Sequence, residues 1–346
     1  MKKTKMRLLI ISPIATIALL TLSGCHHSTR GIESEDGTLN MKIDTLNLKS
    51  IKEQGYDKGT APNEAGEAIF ARLEDEATSL ETIYSYFTHY SPVMRFKASQ
   101  AMSKRGKASM PFLIKALQSG DKYQIRAACD AISQVRQFFG VSVKTNRRTP
   151  QSMTLEINAE AVPYMSPLLD HENMYIRVGA LQALSRCGKA AAPHLPKVAT
   201  FITDDEWWLR GGAAYVLQGV GSPEADKYLP SLAKTMLTER RIQCLNIMSA
   251  ALKDLIRTSS NRQQLAEQIG EGLGQMHDYY HRLRGRDVLD AAGTDAGIAL
   301  PYVDKLIAEM EETLKDAEPD SRKTKADQAE LKQLKTTRDK LSGVKK

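Results

Sequence analysis

His277 and His281, four apart in the stretch HDYYH, are the closest approach to a metal or proton-transfer pair in the 346-residue chain. On a helix such a pair shares a face and can present two imidazoles to one ion. A zinc site needs at least a third ligand, and a hydrolytic one needs the glutamate of HExxH. Here Asp278 follows the first histidine and no Glu base is placed, so the pair reads as solvated. His26-His27 is equally weak. The acidic pairs Asp204-Asp205 and Glu311-Glu312 fall at turns or on exposed faces, where carboxylates cap helices or meet water. GxSxG, the P-loop and the glycine-rich dinucleotide turn are missing from the sequence. Cys129, Cys187 and Cys244 each lie on a stretch that reads as buried helix, which suits small inert core thiols, and their spacing does not suit a metal. No catalytic residue, metal ligand or cofactor is expected, and an enzyme is the minority alternative.

The chain is 42% hydrophobic, 26% charged and only 6% aromatic. That is enough to bury a substantial core, too polar for many membrane spans, and in favour of helix over sheet. Near the start, a basic segment (Lys2, Lys3, Lys5, Arg7) precedes an apolar run from Leu8 to Leu20, and small residues lead to Cys25. Residues 1–24 read as a secretory signal. They carry four basic residues and no acidic one, so without them the formal charge falls from +7 to +3. A nucleic-acid partner thereby loses its main support. With Cys25 as an anchor, three cysteines remain, an odd number that cannot pair completely.

Leu22-Ser23-Gly24-Cys25 resembles the lipobox of bacterial lipoproteins. The resemblance implies that the Cys25 thiol is diacylated, the chain is cut before it, and the new amine is acylated too. Each buried CH₂ is worth roughly 0.8 kcal/mol, so several acyl chains anchor stably. His26 follows the cysteine rather than the Asp that, by resemblance to enteric lipoproteins, goes with inner-membrane retention. The expected address is the outer membrane, facing the periplasm. Residues 25–62, with little periodicity, suit a flexible tether.

The remaining chain repeats itself. With Arg95, Arg126, Arg177, Arg210 and Arg241 as origins, the third residue on is Ala98, Cys129, Ala180, Ala213 or Cys244. The sixth is Ala101, Ile132, Ala183, Val216 or Ile247, and the seventh is apolar in four of five. At about 100° per residue these places make one stripe, whose small members let another helix approach closely. Gly106, Gly188 and Gly221 stand eleven on and suit a helix end. Pro111, Pro163, Pro193 and Pro230 each lead a second apolar helix. Asp121, Asp170 and Asp204 or Asp205 precede the arginine helices as capping groups. The arginine spacings are 31, 51, 33 and 31 residues. A helix pair at this period cannot close a core alone, so neighbours must supply the other face.

This pattern resembles the HEAT-repeat α-solenoid, in which proline belongs to the outer helix and Asp and Val-Arg to the inner one. The expected fold is therefore all-α, a HEAT-like solenoid over residues 63–310, with a non-repetitive helical bundle as the alternative. A final imperfect unit takes Arg286 as origin, with Pro301 fifteen residues on. Residues 311–346 are highly charged and read as a frayed terminal helix and tail. The long spacing holds an insertion at 138–160, in which VSVK and MTLEI alternate like a β-hairpin around a polar loop whose Arg147 and Arg148 are candidate partner-binding residues, with a tolerated surface excursion as the plain alternative.

Opposite the apolar stripe, five and eight places after each arginine, stand Gln100, Ala131, Gln182, Tyr215 and Asn246, then Ser103, Gln134, Ser185, Gln218 and Ser249. These fall near roughly 140° and 80°, against about 285° for the stripe. They predict an uncharged amide and hydroxyl ladder along the concave face, able to pair with the backbone of an extended segment. A solvated face is the plain alternative. Trp207 and Trp208, the only tryptophans, sit at a turn; one is expected to pack between repeats and Trp208 to be an exposed anchor. The expected partner is a protein or peptide, held by a non-catalytic envelope scaffold. An immunity-type lipoprotein that sequesters a toxin is the compatible alternative, and nothing speaks to oligomeric state.

Overall fold

A computed structural model describes residues 56–57, 61–62, 64–89, 91–140, 158–276, 279–319 and 321–343. The signal segment, Cys25, His277, Arg147, Arg148 and the two alternating stretches of the insertion lie outside them. The chain divides into two compact units, residues 1–78 and 79–346. In the first, β1 (Tyr56–Asp57) pairs antiparallel with β2 (Ala61–Pro62), followed by helix α1 (Glu64–Glu74). The end of the expected tether is thus a short ladder.

The second unit is a helical repeat stack. After α2 (Leu80–Ser85), one layer consists of α3 (Pro92–Lys104), α5 (Lys122–Gly140), α7 (Met174–Leu184), α9 (Trp207–Val220), α11 (Ile242–Ile256) and α13 (Tyr279–Ala292). Each packs on the next. The other layer consists of α4 (Met110–Leu117), α6 (Val162–Met165) with a 3₁₀ turn, α8 (Leu195–Thr200), α10 (Leu229–Thr238), α12 (Arg262–Gln275) and α14 (Leu300–Lys315). We call the first layer inner, after the arginine helices of the repeat.

The stripe residues do what their size allows. Ala98, Cys129, Ala180, Ala213 and Cys244 are all buried, as are Ala101, Ile132, Ala183 and Val216. Gly106, Gly188 and Gly221 follow their helices with φ of 55°, 56° and 81°, a left-handed turn that glycine makes without a Cβ clash. Prolines 111, 163, 196, 230 and 301 stand in the first turn of outer-layer helices, where no N–H is missed. Pro193 instead lies within the 3₁₀ segment before α8.

Two registers differ from the sequence reading. Arg241 is the residue before α11, not its fourth, and Leu245 takes the arginine's place: its N–H bonds Arg241 O as the Arg210 N–H bonds Glu206 O. The acceptor-bearing loop before the helix absorbs one turn there. In the last unit the origin is Arg282 rather than Arg286, with Gly285, Val288 and Leu289 buried three, six and seven on. Gly293 follows eleven on at φ 60°.

The insertion is not supported as a hairpin over 138–160. Residues 138–140 complete α5, and Asn158 is helical and fully buried. Its Nδ2 donates to Arg186 O at 3.1 Å and its carbonyl accepts the Cys187 thiol, so the chain rejoins the stack there. At the other end, α15 (Arg322–Ser342) is a docked helix, not a frayed one. Leu334 and Leu341 are buried, and Glu330 holds Arg282 at 2.7 and 2.9 Å. Its outward face is polar, which suits the end of a stack.

Candidate partner-binding face

A common turn opens most inner-layer helices. A side-chain acceptor takes the N–H two residues on: His89 Nδ1 from Ser91, Asp121 Oδ1 from Tyr123, His171 Nδ1 from Asn173, Asp204 Oδ1 from Glu206, and Glu239 Oε1 from Arg241. An arginine six residues after the turn begins then donates back to its carbonyl. Arg95 Nη1 reaches His89 O at 2.6 Å, Arg177 Nη1 His171 O at 2.8 Å, Arg210 Nη1 Asp204 O at 2.6 Å and Arg282 Nη1 Met276 O at 2.7 Å. The repeat arginines therefore lock loops onto helix starts. Arg126 departs, binding Tyr175 O at 2.9 Å on the next inner helix.

Buried charge is paired across repeats. Arg210 holds Glu239 through two bonds of 2.7 and 2.8 Å, and that carboxylate is 1% exposed. Burial opposes ionisation of Glu239, but hydrogen bonds from Arg210 and the Arg241 N–H outweigh it and hold its carboxyl below the ordinary glutamate value. His281 Nε2 meets Glu239 O, so this histidine belongs to the same turn. Burial pushes the Cys129 and Cys244 thiols up to about 12 and Cys187 up as well. All three stay protonated near neutral pH and are not nucleophiles. Among the described residues no group of three His, Cys, Asp or Glu side chains is placed to hold a metal.

The expected ladder divides in two. Ser103, Ser185 and Ser249 are buried. Ser103 Oγ donates to Gln100 O and Ser185 Oγ to Gln182 O, while Ser249 Oγ donates to Arg284 O on α13. Ala131 is buried too. The three serines of position eight are lost to the stack because an inner helix has an inner neighbour on each side, whereas Gln218 at the same position stays partly open. The amides at position five and Gln218 remain partly or fully exposed, but they bridge successive inner helices. Gln182 Oε1 accepts from Arg126 at 3.2 Å, Gln218 Nε2 donates to Asp254 at 2.5 Å, and Asn246 Oδ1 accepts from Arg284 at 2.7 Å. Gln100 is half-buried at the start of this row. Tyr215 is half-buried, and burial raises its phenol above the ordinary value.

Both tryptophans are partly buried and partly open to solvent, so neither stands out as the exposed one. Trp207 and Trp208 are the first two residues of α9, both half-exposed, with rings stacked at 4.0 Å. The same two positions hold Tyr279 and Tyr280 on α13, 41% and 49% exposed, and Ile242 opens α11 at 49%. This edge was missed because the aromatic places alternate with acceptor turns instead of following the arginine count through one helix. Its sequence signal was a bulky pair three places before Arg177, Arg210 and Arg282 (Met174-Tyr175, Trp207-Trp208 and Tyr279-Tyr280).

The chain is similar in fold to Kap121p in its crystal structure bound to Pho4p, at 13% identity and a TM-score of 0.50, covering 95% of this chain and 34% of that one. This chain thus spans about a third of the Kap121p chain. It is also similar to the archaeal HEAT-like repeats protein from Thermococcus onnurineus NA1 (11% identity, TM-score 0.47, 76% and 100% of the two chains). A designed armadillo repeat protein in complex with the peptide (KR)4 follows at 13% identity and 0.42, over 65% and 98%. The Kap121p likeness, which reaches a TM-score of 0.50, bears on the fold alone and agrees with the HEAT-like helical repeat stack described above. No protein-family model matches the sequence, and no curated protein matches it.

Proposed function

We propose that this protein is a lipoprotein of the outer membrane, facing the periplasm, whose repeat stack holds a protein or peptide partner without catalysis. One observation carries the binding reading. The inner layer presents a row of side chains, Gln100 on α3, Gln182 on α7, Tyr215 and Gln218 on α9 and Asn246 on α11, that the hydrophobic core leaves at least partly open, with buried Ala131 in its place on α5. Neighbouring helices hold most of these amides in place by cross-helix bonds, so a partner meets groups whose rotamers are already restricted. The anchor rests on Leu22-Ser23-Gly24-Cys25 after the apolar run.

The two halves have separate tests. Replacing Cys25→Ser should leave the chain unacylated and move it out of the membrane fraction; an acylated, membrane-bound Ser variant would end the anchoring claim. A photo-crosslinking residue placed at Gln100, Gln182 or Gln218 should trap one protein in intact cells. Absence of any adduct at all three positions, with the variants folded, would remove the inner strip as the binding face.

A further inference from the structure

The exposed edge at the inner-helix starts has its own chemistry. Parallel packing of α7, α9, α11 and α13 brings those starts side by side. Arg210 on α9 reaches Glu239 before α11, and His281 on α13 reaches the same residue. Of the four large hydrophobic residues most exposed among those described, three (Ile242, Tyr279, Tyr280) lie here, beside the stacked tryptophans. Asp205 and Glu206 directly precede the tryptophans and Glu172 lies before the start of the previous inner helix; all three are exposed and make no ion pair among the described residues. One repeat further, Arg240 and Arg241 are exposed. Elsewhere the chain supplies its own cation–π partners: Arg95 lies 4.4 Å and Lys122 5.4 Å from the Tyr123 ring centre. No cation of the described residues stands over Trp207 or Trp208, although indole is the best host for one.

We propose that this edge binds an extended protein segment carrying Lys or Arg against Trp207-Trp208 and its three carboxylates, and Asp or Glu against Arg240-Arg241. The spacing follows from the fold. Neighbouring helices sit about 8–10 Å apart, and an extended chain rises about 3.3 Å per residue, so the two charges should lie about three residues apart. An apolar residue between them would meet Ile242. This deepens the partner-binding reading above and rests on it, but it places the occupant on the helix starts and names its charge pattern.

The chain reports on the edge directly, because its only two tryptophans are in it. The full chain in detergent is titrated with the peptides GKKVDDG and GDDVKKG, following tryptophan emission, with GDDVDDG and GKKVKKG as controls. One of the two mixed peptides should give a saturable change below about 1 mM, at least several-fold tighter than either control, and weaken as salt rises. Asp205→Lys with Glu206→Lys, both solvent-facing, should lose about tenfold or more of that affinity at unchanged melting temperature. Arg240→Glu with Arg241→Glu should do the same from the other end. No saturable change with either mixed peptide, or an affinity unchanged from the parent chain in either charge-reversed variant, would overturn the proposal. Crosslinking at Gln182 or Gln218 that persists in the charge-reversed variants would then leave the scaffold reading standing on the inner strip alone.

Discussion

The histidine of the helix-opening turn makes acid a specific probe of this fold. His89 Nδ1 must be unprotonated to accept the Ser91 N–H, and burial followed by the nearby Arg95 charge lowers its pKa from 6.5 to about 4. Below pH 6.5 the unfolded chain takes up a proton that the folded chain refuses. Stability contributed by this group is therefore full above 6.5 and falls as pH drops toward 4. Thermal melts should show the midpoint falling across that window. His89→Asn, which keeps an acceptor like the Asp at the equivalent turns, should flatten the fall. Glu239→Ala tests the other buried acceptor. It strands Arg210 beside a cavity and should cost about 3 kcal/mol in denaturant melts, since removing one partner of a largely buried pair leaves an uncompensated charge. A loss under 1 kcal/mol would mean that solvent reaches the guanidinium freely.

Close helix approach is the device of the next scale up. A Cβ on Gly219 of α9 would lie 2.1 Å from the Ser185 carbonyl oxygen at the end of α7, and backbone cannot move aside as a side chain can. Gly219→Ala should therefore push the two helices apart and cost about 3 kcal/mol. Gly274, exposed in α12 with open space where its Cβ would be, is the control. Gly274→Ala should stabilise by about 0.5–1 kcal/mol through helix propensity and a less free unfolded chain. Equal effects at the two sites would show that propensity, not contact, sets the glycines. Both residues are glycine in a helical pattern, and only the neighbour's position separates them.

A repeat stack needs an end. Here α15 covers α13 and α14 with Leu334 and Leu341, and Arg286 Nη2 bonds Gln333 at 2.7 Å. Ending the chain before Ser321 would expose the last repeat's apolar face and strand Arg282. The shortened protein should melt earlier and elute as larger species on size exclusion. Unchanged melting and a monomeric profile would show that α14 closes the stack unaided. The sequence hid this role because the helix is so polar: its few apolar residues are spaced widely enough to read as a solvated tail.

The repeat period, small-residue stripe, terminating glycines and leading prolines were legible as sequence because each obeys a rule local to one or two turns of helix. Size, φ preference and a missing N–H act on the residue that carries them. The Leu22–Cys25 motif and the apolar run before it are likewise local patterns, and the anchor they imply stands as the proposal above. The tertiary structure decided what depends on a neighbour's position. It made Leu245 and Arg282 the register points, sent the serines of the expected ladder into the stack, and tied Gln182, Gln218 and Asn246 to adjacent helices. It also drew Trp207, Trp208, Ile242, Tyr279 and Tyr280 into one edge. Residues more than thirty positions apart become neighbours only when parallel helices stack in register, and no spacing within a single helix encodes that alignment.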